Sequence, residues 1–251
     1  MEKKIVGVSN GRSGGPLSCY GHFILDLILP EINEKVYEYD IVCRFKHHTW
    51  QYIPPCFQNM YEEIMDVENR QQLSRGAPDH WKKIQPRITT KGYCGALNKK
   101  LKKKFEESTN WLIDKYLDTD NKYPEVIFIE REASSSNSNR NGLIYKREKI
   151  KKFLNNKIKY ETLRLVGMAF KKQLNYFYHA KIIIGLYGSN LTNTVFCKNN
   201  VTLFCIKWPD QHKRVIQTNQ WKYLQPNINV IWCKNNPKAV ISKLKKKLNL
   251  Q

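Results

Sequence analysis

Apolar positions divide the chain into two styles. From residue 125 onward, short unbroken runs of Ile, Val, Leu and Phe alternate with segments whose apolar residues recur every three or four positions. Unbroken runs suit strands buried on both faces, and the 3.6-residue recurrence suits the helices that cover them. The pattern predicts strands over 125–130, 160–165, 182–186, 201–207 and 229–232. It predicts helices over 147–155, 169–179 and 237–248, with a short one over 191–196. Strands alternating with helices imply parallel βαβ units and an α/β fold.

The first half is less regular. A strand over 5–9 leads into a Gly- and Ser-rich loop over 10–18, then an apolar segment of helical period over 20–32. One or two strands are expected over 35–45, an irregular aromatic and Pro-containing stretch over 47–59, and a helix over 60–73. A weak strand or loop follows over 87–95, then a long helix over 97–117. The turn residues of 118–124 mark the expected domain boundary, giving units 1–120 and 121–251.

Composition adds a charge. The formal net charge of +21 predicts attraction to something anionic: nucleic acid, an acidic membrane surface, a nucleotide or a glycan. Most of the cations are Lys on helical patterns (98–104, 145–152 and 241–248), which suits solvated helix faces. The seven cysteines include no Cys-x-x-Cys pair and no Cys/His cluster of zinc spacing, so no metal is expected. An unpatterned set of thiols suits a reducing compartment. The apolar start is too short for a signal peptide, and no apolar stretch approaches the ~18 residues of a membrane span. A sequon at Asn190 falls inside a candidate ligand loop, where a glycan would obstruct it. These features together predict a cytoplasmic protein.

Four segments could carry chemistry. Residues 182–193, IIIGLYGSNLTN, run from a buried strand into small and hydrogen-bonding residues. Ligands of open α/β sheets bind at such strand ends, and a helix N-terminus there can face an anion. Gly188, Ser189, Asn190, Thr192 and Asn193 are the candidate pocket residues. In the loop after residue 130, Arg131 can grip a phosphate in bidentate fashion, with Ser134 and Ser135 adding hydroxyl donors. The plain alternative is a surface loop in which Arg131 pairs with Glu130 or Glu132. Asp118-Thr119-Asp120 has the Asp-x-Asp spacing of a metal-bound nucleotide-sugar site, yet it closes a helix and reads as a turn. His22 lies four residues before Asp26, so a helix would align them as a general base and its orienting carboxylate. The alternative is a helix-start histidine with Asp26 at the surface. No Walker loop, nucleophile elbow or His-Glu-x-x-His is present.

These segments, in this order, resemble glycosyltransferase family 61. Tyr20-Gly21-His22-Phe23 through Leu29-Pro30 is similar to the family's N-terminal run, and 127–136 to its strand, Arg and Ser-rich loop. Gln173, the stretch 180–185 and Tyr187-Gly188-Ser189-Asn190-Leu191-Thr192-Asn193 are similar to its Gln helix and HGAGLTN-like motif. Tyr187 stands where the family has His, Ser189-Asn190 where it has Ala-Gly, and Val166 where an acidic residue is common. The resemblance implies a GT-B fold of two Rossmann-like lobes with a central cleft. It implies metal-independent, inverting transfer from a nucleotide sugar, expected to be a UDP-sugar, to a glycan, glycolipid or glycoprotein acceptor. It implies no resident cofactor. Two other readings stay open: a non-enzymatic nucleic-acid-binding protein, motivated by the charge, and an inactive member that binds sugar nucleotide or glycan, motivated by the departures.

Overall fold

In a computed structural model, the described residues are 4–10, 23–39, 41–45, 55–65, 69–72, 87–90, 93, 99–130, 142–198, 200–207, 225 and 227–249. The chain separates into two compact units, Met1–Tyr116 and Leu117–Gln251.

The first unit starts with β1 (Ile5–Asn10). A π-helical turn (Phe23–Ile28) then runs into α1 (Leu29–Asn33). A 3-10 turn (Val36–Glu38) precedes β2 (Ile41–Phe45) and α2 (Pro55–Met65). β3 (Asn69–Gln72), β4 (Arg87–Thr90) and α3 (Lys99–Tyr116) complete it. The sheet is parallel throughout, in the order β3-β2-β1-β4. Two expectations are corrected here, the irregular stretch reaching residue 59 and the helix over 60–73. The helix expected over 60–73 instead starts at Pro55 and stops at Met65, and Asn69–Gln72 forms an edge strand. Proline suits a first helical position, where its missing N–H has no acceptor to satisfy. Asn-Arg-Gln-Gln at a sheet edge carries no apolar alternation to announce it. Residues 35–45 hold one strand, because Lys35 turns to a left-handed φ of 55° and starts the 3-10 turn.

All six residues of the π-helical turn are buried, Asp26 included at 2% exposure. Phe23 stacks on Phe57 of α2 with ring centroids 4.9 Å apart. Tyr61 donates its hydroxyl to the buried Glu31 carboxylate at 2.7 Å, which satisfies a group that would otherwise be costly to bury.

The second unit carries β5 (Val126–Glu130), α4 (Gly142–Asn155), β6 (Glu161–Arg164), α5 (Phe170–His179) and β7 (Ile182–Leu186). A 3-10 helix (Ser189–Phe196), β8 (Thr202–Ile206), β9 (Asn229–Cys233) and α6 (Pro237–Leu248) follow. These agree with the expected elements to within a few residues, α4 beginning earlier. The sheet is again parallel, in the order β6-β5-β7-β8-β9. One face, bearing Val126, Phe128, Ile184, Leu186, Phe204 and Ile206, packs under α4 and α6. α5 and the 3-10 helix pack together on the other side. There a Cβ on Gly185 would stand 2.8 Å from Leu191 Cδ2, so the strand needs glycine for the 3-10 helix to seat.

Candidate functional site

The second sheet changes direction between β5 and β7. The chain leaves β5 for β6 on one side, and leaves β7 for β8 on the other. Loops part at such a point and open a crevice beyond the strand ends. The two ends are Glu130 and Leu186.

Beyond Leu186 come Tyr187 and Gly188, then the 3-10 helix. The Leu191 amide donates to the Gly188 carbonyl at 3.0 Å. The amides of Ser189 and Asn190 sit in the first turn, where a helix supplies no acceptors of its own. Gly188, Ser189 and Asn190 are half-buried, at the surface of this loop. Thr192 and Asn193 lie beneath it with 0% exposure, so they act on any ligand by positioning the turn. Asn193 Nδ2 donates to Gln173 Oε1 at 2.9 Å, and Gln173 Nε2 donates to the carbonyls of Met168 (2.8 Å) and Leu165 (3.3 Å). This chain of buried amides ties the 3-10 helix through α5 to the end of β6. The Thr192 hydroxyl is buried without a hydrogen-bond partner among the described residues.

At the other strand end, Glu130 is 4% exposed and meets three cations. Arg164 Nε approaches at 2.7 Å, Arg147 Nη1 at 3.0 Å and Lys151 Nζ at 3.4 Å. Burial alone would push this carboxyl up, but donation from Arg164 and the charges of Arg147, Lys151 and Arg164 outweigh it and hold it below its ordinary value. Arg147 and Lys151 also reach the exposed Glu148 at 3.2 and 3.9 Å, so three cations against two carboxylates leave one positive charge in excess beside the switch point. That balance favours an anion there. The cluster was not visible in the sequence, because Arg147 and Arg164 lie far along the chain from Glu130. It also bears on the plain reading of Arg131: the Glu130 carboxylate is already held by other residues. Arg131, Ser134, Ser135 and His22 lie outside the described residues.

The Asp-x-Asp segment is a turn. The Asp118 carboxylate accepts from Asn121 Nδ2 at 2.6 Å and from the amides of Asp120 and Asn121 at 3.1 Å each. The donation from the Asn121 side chain, then from its backbone, lowers the Asp118 pKa. Among the described residues no group of three His, Cys, Asp or Glu could hold a metal.

Of the thiols, Cys205 and Cys233 are buried and Cys56 is exposed. Burial pushes Cys233 up to about 11.

Comparison with known proteins agrees with the sequence. No curated protein matches the chain. Among solved structures, it is similar to the bacterial iron-containing dodecameric glycosyltransferase TibC from enterotoxigenic E. coli H10407. That match has a TM-score of 0.37 and 10% identity, covering 99% of this chain and 78% of the other. Residues 20–204 match the family model described as Glycosyltransferase 61. That stretch is well over half of the 251 residues and holds both the His22 segment and the 182–193 loop, and the chain accordingly belongs to glycosyltransferase family 61.

Proposed function

We propose that this transferase moves a sugar, with inversion and without a metal, from a nucleotide sugar to a glycan, glycolipid or glycoprotein acceptor. The donor's diphosphate lies at the carboxyl ends of β5 and β7. The observation that carries this reading is the reversal of strand order between those two strands, with cations gathered at one end and open amides at the other. Arg131, Ser134 and Ser135 follow β5 and add donors to the diphosphate. Gly188, Ser189 and Asn190 line the opposite side, supported from below by Thr192 and Asn193.

In the reaction a base takes the proton of the acceptor hydroxyl. The oxygen forms its bond to the anomeric carbon as the bond from that carbon to the phosphate oxygen breaks. The nucleoside diphosphate leaves with the electron pair, and cations and amides stabilise its charge. The base in this reading is His22, oriented by Asp26, in a GT-B arrangement with the acceptor on the N-terminal side. What supports His22 is its place: it directly precedes the helix that follows β1, and the first sheet reverses its order at β1. The family resemblance supports the inverting, metal-free course, and a UDP-sugar is the donor to try first.

Calorimetric titration with a panel of nucleotide sugars tests the reading. One of them should bind, and Arg131→Ala should weaken it by about 1.5–3 kcal/mol, the range for hydrogen bonds to charged groups. Unchanged affinity in that variant removes Arg131 from the site, and failure of every nucleotide sugar and nucleoside diphosphate to bind removes the donor site. Binding without transfer or donor hydrolysis favours the inactive reading instead, with Tyr187 and Ser189-Asn190 as its cause.

A further inference from the structure

Exposed lysines lie on several elements of the second unit, Lys157, Lys159, Lys171, Lys172 and Lys181 among them, but its acids are unevenly placed. α4 and α6 pack side by side on one face of its sheet. Their outward residues include Lys149 and Lys152 on α4 and Lys238, Lys245, Lys246 and Lys247 on α6, all exposed. None of these six has an acidic partner among the described residues. The unit's described acids lie almost entirely elsewhere. Asp118 and Asp120 close a turn, Glu125 pairs with Lys181, and Glu161 accepts from Tyr176. Glu130 is buried under α4, which leaves Glu148 as the exposed acid among the described residues of this helix pair. Here the acids are withdrawn from one face.

We infer that the α4–α6 face docks this transferase on a bilayer containing anionic lipid. Positions 238 to 247 span about 14 Å of helix. Their charges therefore lie within one or two Debye lengths of one another (~8–10 Å at ordinary salt) and act together on a charged plane. Clusters of four to eight basic residues on a helix bind anionic headgroups through this field. The choice of lipid over nucleic acid follows from the residue types. Among the described residues of the two helices the exposed cations are all lysine, a strongly hydrated point charge; Arg147 is engaged by Glu130 and Glu148, and the exposed Arg164 lies on β6 and is held by Glu130, so neither is left to grip a phosphate in bidentate fashion. The exposed uncharged residues of the two helices include Asn155 and Ser242, and among the described residues of these helices there is no exposed ring on which a base could stack. The attachment is to a surface: among the described residues no helix is long and apolar enough to cross a membrane. The inference does not depend on the proposed donor site, since its test reads no transfer.

The test is co-sedimentation of the full chain with vesicles of phosphatidylcholine alone and of phosphatidylcholine mixed with phosphatidylglycerol, at low and high salt. Binding is expected to the mixed vesicles only, falling as salt rises. Replacing Lys149, Lys152, Lys245 and Lys246 together by Gln should lower partitioning on the order of 10³-fold, with melting temperature unchanged. Lys171→Gln with Lys172→Gln, on α5, should have a much smaller effect. Equal binding to both vesicle types, or an unaffected quadruple variant, overturns the proposal. So does a duplex oligonucleotide that binds more tightly than the mixed vesicles and loses that affinity in the quadruple variant, which makes the face a nucleic-acid surface.

Discussion

Protonating Glu130 should loosen the second unit. Its folded pKa is depressed because the ionised form holds Arg164, Arg147 and Lys151. A depressed acid stabilises the fold above its unfolded pKa, about 4.3, and loses that contribution as pH falls through the lower folded value. Glu130→Gln should cost about 1–3 kcal/mol at neutral pH. That is less than the 3–5 kcal/mol of a fully buried pair, because the Arg164 side chain is 63% exposed. Urea unfolding at pH 7 and below pH 4 checks this: the gap between wild type and variant should close in acid. A gap that persists in acid would assign the loss to packing rather than charge. The sequence placed Glu130 at a strand end and offered its neighbour Arg131 as a partner. The actual partners come from α4 and β6, brought close by parallel pairing of β5 with β6, which no local spacing encodes.

At the scale of elements, β7 and the 3-10 helix form one device. Gly185 lets Leu191 lie against the strand, and Gln173 holds Asn193 from the side. Gly185→Ala would put a methyl 2.8 Å from Leu191 Cδ2 in a buried place. Overpacking of this kind typically costs 1–3 kcal/mol. Chemical denaturation should show that loss, along with weakened nucleotide-sugar binding, because the displaced helix carries Ser189 and Asn190. A variant as stable as wild type would mean Leu191 repacks freely. The second unit was readable from sequence because its central strands are buried on both faces and spell unbroken apolar runs, as in Ile182–Leu186. The first unit was less so. β3 is a polar edge strand that shows no apolar alternation, whereas the segment over 20–32 reads as helical and holds the π-helical turn and α1. The helical reading of 60–73 failed because composition alone cannot tell the end of α2 from a short polar strand beyond it.

For the whole molecule, the proposed division of labour gives donor binding to the second unit and the base to the first. That division predicts a split between turnover and affinity. His22→Ala should lower kcat by roughly 10²–10⁴-fold, the usual worth of a general base, while the nucleotide-sugar affinity measured by calorimetry stays nearly intact. Asp26 bears on the same point. At 2% exposure it is not the surface carboxylate of the plain reading. A carboxylate within the buried turn that follows His22 can favour the charged imidazolium formed when the base takes its proton. The pH profile of kcat/KM should therefore show an acidic limb from a free-enzyme histidine, and His22→Ala should abolish that limb along with the rate. Asp26→Asn should lower kcat less than His22→Ala does and shift the limb to lower pH, because the neutral amide no longer favours the protonated ring. Near-normal turnover in His22→Ala would pass the base to another residue, with Asp26 itself the next to test. A large loss of nucleotide affinity in the same variant would place His22 at the donor and undo the division between the units.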